Sequence, residues 1–311
     1  MRSSVSIFVL LALFAAAASA QTGSAQLQGT VRDSSGAVLP GARLLLEQKA
    51  TGTTIESEST ESGAYLFPSL RPGDYRLTVH APGMEAWQAD ATLQVGQSAQ
   101  IDPLLKVGAS TETITIAGDV TPLVTTTSGT LANVLERERL EQLPLNGRFL
   151  HELIRLTTPG VEGASNRPRA FGLRDGSMEF LQDGAVISDR NTGRISERPP
   201  GIDTIEEFRV ETSVPSAKFS RPASTILSTR SGTNEFHGSL FYTGRNNGFG
   251  VARRRQDFFS KPPQLIRNEY GASVGGPVIL PKIYNGRNRT FFFTVDTLGQ
   301  AGVPVQADPV W

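Results

Sequence analysis

The sequence predicts a mainly β chain in three successive parts: an immunoglobulin-like sandwich, a small α+β domain, and strands long enough to cross a membrane. Three patterns carry this. Short alternating apolar runs recur between turn residues from 27 to 95; helical spacing appears only between 131 and 156; and three alternating runs of eight to ten residues lie between 235 and 297. The length of 311 residues permits about two or three domains. Gly 31 and Pro 19, with no long periodic helix past residue 20, add to the expectation of a turn-rich β chain.

The first 20 residues read as a secretory signal peptide. Arg2 supplies the positive charge, Val5 to Ala18 the short apolar run, and Ala18-Ser19-Ala20 the small residues of a cleavage site before Gln21. The run is too short for a comfortable transmembrane helix. There is no cysteine, which excludes a lipid-modified cysteine, disulfides and thiolate metal sites. The formal net charge is zero, so no basic field points to nucleic acid.

From 21 to 107, strand-like runs are expected at 27–31, 42–48, 53–60, 64–67, 74–80 and 91–95. Asp33-Ser34-Ser35-Gly36, Arg71-Pro72-Gly73-Asp74 and Ala81-Pro82-Gly83 separate them as turns. These six runs in roughly 85 residues, close to the seven strands of an immunoglobulin-like domain, suit a sandwich. Tyr65, Phe67, Leu70, Tyr75, Leu77 and Val79 are its expected core.

Gly29, Val31, Asp33 and Gly36, then Leu39-Pro40-Gly41-Ala42, then Thr60, Glu61, Gly63, Tyr65 and Phe67, then Leu70, Pro72, Gly73 and Tyr75 resemble the carboxypeptidase regulatory-like domain. The family usually has Asp where Glu61 stands. The resemblance implies a sandwich shared with starch-binding-like modules, and hence a candidate carbohydrate contact at Trp87. The plainer place for Trp87 is the core or its rim.

Between 108 and 119, Glu112, Ile114 and Ile116 would face one side of an extended segment, and Thr111, Thr113 and Thr115 the other. Such a segment suits pairing with a sheet edge, and its plain reading is a last strand of the preceding domain. Gly108, Ala109 and Ser110 lead into it.

The stretch 120–234 reads as α+β. Helices are expected at 131–143 and 149–156, with strands at 170–174, 178–181, 185–187, 208–212 and 225–229. Leu143-Pro144-Leu145-Asn146-Gly147-Arg148 followed by Leu156, Pro159, Gly160 and Val161 resembles the plug domain of outer-membrane receptors that depend on the inner-membrane protein TonB, in the Oar-like branch. Phe171 to Gly176, Asp183-Gly184 and Ile202 to Val210 fit the same family. Its glycine-rich run is replaced here by Phe219 to Ile226. By this resemblance Glu112, Thr113, Ile114, Thr115 and Ile116 correspond to the TonB box, the segment gripped by TonB's C-terminal domain through strand addition.

From 235 to 311, strands are expected at 235–243, 269–278 and 290–297. In the third, Phe291, Phe293 and Val295 make an apolar face against Phe292, Thr294 and Asp296. Ser231 to Phe241 resembles the family's passage from plug to barrel. A membrane sheet has to close, and even the smallest single-chain barrels have about eight strands. The sequence is therefore expected to be the N-terminal part of a longer receptor.

No zinc-protease, nucleophile-elbow or phosphate-loop motif is present, and His80, His151 and His237 lie far apart. The acidic pair Glu206-Glu207 reads as solvated surface. The resemblance implies no enzyme and no cofactor. It implies a transporter in the outer membrane with its N-terminal domain in the periplasm, TonB as partner, and a substrate whose candidate classes are carbohydrate and oligopeptide. The competing expectation is a secreted or surface carbohydrate-binding or adhesion protein acting through the sandwich.

Overall fold

Residues 24–108, 114–116, 132–142, 150–164, 167–195, 202–212, 219–246 and 266–302 are described by a computed structural model of the chain. The expected signal peptide and the 143–148 motif lie outside them. Two compact units are present, Met1–Arg230 and Ser231–Trp311.

The first unit begins with a two-sheet sandwich. Its strands are β1 (Ala25–Thr30), β2 (Arg32–Asp33), β3 (Arg43–Gln48), β4 (Thr53–Glu58), β5 (Ala64–Leu70), β6 (Gly73–His80), β7 (Trp87–Leu93), β8 (Ser98–Gln100) and β9 (Leu104–Leu105). One sheet runs β5-β1-β8; the other is centred on β7-β6-β3-β4, and β2 pairs with β9. Strict alternation explains the stacking: along β7, Trp87, Ala89, Ala91 and Leu93 are buried while the residues between them are half-exposed. In β6, Tyr75, Leu77 and Val79 turn inward. All six expected core residues are buried, and each such aliphatic or aromatic side chain contributes about 1.5–3 kcal/mol on burial.

Two details fix how the sheets meet. The Tyr65 hydroxyl donates to the Ile101 carbonyl at 2.7 Å, and its ring packs edge-on against Phe67. Beside them, Gly29 leaves no room for a side chain, since a Cβ there would lie 1.7 Å from the Ile101 oxygen. The last strand of the β7-β6 hairpin starts at Trp87 rather than at residue 91. Its inward positions include two alanines, whose small apolar weight hides the alternation.

The α+β part contains β11 (Ala132–Glu136), α1 (Arg137–Gln142), α2 (Leu150–Thr157), β12 (Val161–Ala164), β13 (Arg167–Ala170), β14 (Met178–Gln182), β15 (Ala185–Val186), a 3-10 turn at Ile202–Thr204, β16 (Ile205–Glu211) and β17 (Ala223–Thr229). Its sheet order is β11-β16-β17-β14-β15, with β14 and β17 parallel. Leu153, Ile154, Phe180, Ile205, Phe208, Val210 and Leu227 form the core.

Helix was expected across 131–143, but its first part is strand β11, laid antiparallel along Glu207–Glu211 of β16. Pairing with a preformed sheet edge outweighs local helical spacing there. The strand expected at 170–174 ends at Ala170, where Phe171 and Gly172 turn with positive φ.

The second unit is an antiparallel meander of β18 (His237–Asn246), β19 (Ile266–Pro277) and β22 (Phe291–Gly302), with a small hairpin of β20 (Ile279–Leu280) and β21 (Tyr284–Asn285) between the last two. The long strands have 10, 12 and 12 residues, enough to span a bilayer core at a tilt. Cross-strand rows such as Tyr242, Tyr270 and Leu298 define one face. That face exposes Leu240, Tyr242, Tyr270, Val274, Phe292 and Leu298. On the opposite face, Ser239 and Ser273 hydrogen-bond at 2.8 Å and Glu269 is buried.

On the last strand the expected face of Phe291, Phe293 and Val295 is the half-buried one, and the face of Phe292, Thr294 and Asp296 is exposed. Phe293 lies on the more polar face, stacked on His237, while Phe292 and Leu298 share the exposed apolar face with Thr294 and Asp296. Phenylalanines occupy both faces of this strand, so only the neighbouring strands distinguish them.

Candidate functional site

The expected coupling segment is partly described: Glu112 and Thr113 lie outside the described residues, and Ile114–Ile116 form strand β10. This strand continues the sandwich sheet, whose full order is β10-β7-β6-β3-β4. It runs parallel to β7, with Ile114 across from Trp87, Thr115 from Gln88 and Ile116 from Ala89. The pairing to a sheet edge follows the plain reading of the segment, a last strand of the preceding domain.

Local contacts bring the segment there. After β9 the chain runs antiparallel along the residues before β7: Val107 bridges Met84, Glu85 N–H donates to the Lys106 carbonyl at 2.9 Å, and Gly108 N–H to Gly83 at 3.3 Å. Residues 109–113 then separate this bridge from β10. So short a link holds the segment beside β7 at high effective concentration. Among the described residues β10 is the outermost strand of its sheet, and without it β7 would present an unpaired edge.

Trp87 belongs to this same geometry and not to a sugar site. It is 6% exposed and packs within the sandwich core. Its ring offers no open face for stacking, and the candidate carbohydrate contact is withdrawn in favour of the core role.

The other end of β7 makes a second attachment. The turn from Gln94 to Gln97 is closed by Gln94 N–H to Gln97 Oε1 at 2.7 Å and Gln97 N–H to the Gln94 carbonyl at 3.1 Å. Val95 at its tip is fully buried against Leu181 and Ile226 of the α+β sheet, with Phe219 beside them. Its backbone N–H donates to a carboxylate oxygen of Glu207. Gly96 has φ +66°, and a Cβ there would come within 3.2 Å of Ile226 Cδ1, so both shape and backbone conformation call for glycine.

Glu206-Glu207 is corrected accordingly. Adjacent strand residues face opposite sides: Glu206 is exposed and paired with Arg230 at 3.3 Å, whereas Glu207 is buried under the sandwich turn. Nearby, Arg209 and Glu211 form a largely buried ion pair at 3.0 Å, and Glu179 accepts from Ser220 N–H and Oγ at 3.1 and 2.7 Å. Val95 was expected at the end of a sandwich strand, 91–95, but the strand ends at Leu93 and Val95 packs against a different domain. Among the described residues no group of three His, Asp or Glu side chains is placed to hold a metal ion.

Comparison with known proteins agrees with these parts. Residues 26–106 match the carboxypeptidase regulatory-like domain, and residues 228–297 match an outer membrane beta barrel domain. Over 292 residues, covering 88% of the chain, the sequence is 25% identical to the TonB-dependent transporter Oar of Myxococcus xanthus. The chain spans 27% of that protein's length. Among solved structures, the siderophore receptor PirA from Acinetobacter baumannii is similar over 55% of this chain and 24% of its own, at 21% identity and TM-score 0.42. The dioxygenase domain of a carbohydrate-binding fusion protein from Streptomyces sp. SirexAA-E is similar over 29% of this chain and 84% of its own, at 15% identity and TM-score 0.24. The barrel-domain match assigns the second unit to the outer membrane.

Proposed function

We propose a function from the premise that this chain is built as a TonB-dependent receptor of the Oar-like kind, a carboxypeptidase regulatory-like domain leading toward an outer-membrane barrel. In this reading the chain serves energy-dependent uptake across the outer membrane and is not an enzyme. Residues 1–20 are the export signal, 21–107 the periplasmic sandwich, 108–119 the linker with the coupling strand, 120–234 the plug, and 235–311 membrane strands.

The observation that carries the proposal is strand β10 itself, an extended segment placed on a sheet edge between the sandwich and the α+β domain. A segment that already forms a backbone ladder can form one with another protein, because strand addition needs only main-chain donors and acceptors in extended geometry. Glu112, Thr113, Ile114, Thr115 and Ile116 would be the residues TonB's C-terminal domain grips. The exposed apolar face of Leu240, Tyr242, Tyr270 and Val274 supports contact with lipid, since aromatic and aliphatic side chains cover the outer surface of membrane strands.

The test is a pull-down of the purified chain in detergent with TonB's C-terminal domain. Ile114→Pro removes one backbone donor and fixes φ, and capture should fall by tenfold or more. Capture equal to that of the unaltered chain would remove the coupling role from this segment.

A further inference from the structure

We infer that the small hairpin between β19 and β22 is an interfacial anchor, and that it lies on the anionic phospholipid headgroups of the outer membrane's periplasmic leaflet. The inference rests on the reading of residues 235–311 as membrane strands and adds a lipid partner to it.

Position is the first reason. β20 begins two residues after β19 ends, and β21 ends six residues before β22 starts, so the hairpin stands where these two long strands leave the membrane. Its base is tied down: Val278 N–H donates to the Thr290 carbonyl and Gly286 N–H to the Val278 carbonyl, both at 2.9 Å. The Tyr284 hydroxyl and Thr290 Oγ1 hydrogen-bond at 2.6 Å. The strap that enters β18 is fastened to the same place, since Asn288 N–H donates to Asn234 Oδ1 at 2.8 Å and Asn234 Nδ2 donates to Asn288 Oδ1 at 2.5 Å. The hairpin therefore marks the end of the sheet at which the chain arrives from the α+β domain, the periplasmic end in the proposed reading.

Composition is the second reason. Ile279, Leu280, Ile283 and Tyr284 are all exposed, Ile283 at 83%. Phe236 on the strap pairs with Phe292 at 6.4 Å, and both are exposed, so the apolar membrane face extends to the strap that the hairpin holds. Between Pro277 and Thr290 the chain carries Lys282, Arg287 and Arg289 and no acidic residue. All three cations are exposed and make no ion pair among the described residues. Glu235, next to Asn234 on the strap, offsets one of them and leaves a surplus of two positive charges. Lys282 sits third in the Leu280–Ile283 turn at φ +64°, with Ile283 N–H bonded to the Leu280 carbonyl at 3.0 Å. Glycine or asparagine is the ordinary choice there; lysine puts a cation at the tip instead.

A surface facing only water gains nothing from four bare apolar side chains within six residues. At a membrane boundary such side chains enter the headgroup region, while long cationic side chains reach lipid phosphate. Each cation held near an anionic leaflet favours the docked state roughly fivefold.

The test uses the full chain reconstituted into vesicles, with Ile283→Cys carrying a polarity-sensitive fluorophore; the chain has no native thiol to interfere. The vesicles are phosphatidylcholine alone or phosphatidylcholine mixed with phosphatidylglycerol, each with a trace of nitroxide-bearing lipid. The expected result is a blue-shifted, strongly quenched label in the phosphatidylglycerol mixture and a smaller response in phosphatidylcholine. Each of Lys282→Ser, Arg287→Ser and Arg289→Ser should lower the docked-to-free ratio roughly fivefold. Salt at about 1 M, which shortens screening to about 3 Å, should remove the difference between the lipids. An equal response in both lipids, or none in either, overturns the anchor. A blue shift of the same size on adding inorganic phosphate to the phosphatidylcholine sample means that the hairpin takes up a free anion and overturns it too.

A second label, at Leu240→Cys on the membrane face, separates failure of the anchor from failure of the reading beneath it. Quenching at 240 without quenching at 283 overturns the anchor and leaves the membrane strands standing. No quenching at either position overturns the membrane-strand reading and the anchor with it.

Discussion

Val95, at the tip of the turn after β7, donates its backbone N–H to the carboxylate of Glu207 on β16, so the sandwich and the α+β domain meet through a buried polar contact beside the apolar side chains of Leu181 and Ile226. A buried donor deprived of its acceptor costs about 1–3 kcal/mol. Glu207→Ala should weaken this contact by that amount, read as faster hydrogen exchange at the Val95 amide. Glu207→Gln, which keeps an acceptor oxygen, should restore most of the protection. Equal exchange in all three proteins would mean the contact contributes nothing.

The sandwich should lose stability at high pH. Burial raises the Tyr75 hydroxyl from its ordinary 10.0 to about 12, and burial also raises Tyr65, with the Asp102 charge adding to the effect. Between those values the unfolded chain has released the Tyr75 proton and the folded one has kept it, so the unfolded state binds fewer protons and stability falls as pH rises. The contribution is fully present below pH 10 and is lost through about pH 12. Urea midpoints measured from pH 8 to 12 should decline above about pH 10, and Tyr75→Phe should flatten part of the decline.

In the membrane sheet, Leu240 and Ser239 project to opposite faces, Leu240 being 87% exposed and Ser239 bonded to Ser273. Single cysteines at these positions can carry spin labels without interference, since the chain has no other thiol. In protein reconstituted into vesicles, a label at Leu240 should collide more with oxygen, which concentrates in lipid, and a label at Ser239 more with a water-soluble nickel complex. The reverse pattern would turn the sheet inside out.

The strands of the sandwich were legible because Tyr75, Leu77 and Val79 alternate with polar residues between clear turn signals. β7 was legible only at its end, since Ala89 and Ala91 give little apolar weight. β11 was not legible as strand because its local spacing favours helix and its conformation is decided by β16, which lies far along the chain. For residues 112–116, the proposed coupling segment, the alternation of Ile114 and Ile116 announced an extended strand and its need of an edge. Which edge, and in which direction, depends on Val107 bridging Met84 and thereby bringing the chain alongside Trp87. Glu207 was misread because a carboxylate's burial is set by the domain that covers it, and Val95 comes from a different domain.

The coupling role is tested most directly by photo-cross-linking between the chain and TonB's C-terminal domain, with a photoreactive residue placed in turn at Glu112, Thr113, Ile114, Thr115 and Ile116, and at Thr54 and Glu56 on β4 at the opposite edge of the same sheet. Strand addition should give cross-links within 112–116, rising and falling at every second position as side chains alternate across the new ladder. Cross-links from β4 but none from 112–116 would contradict it.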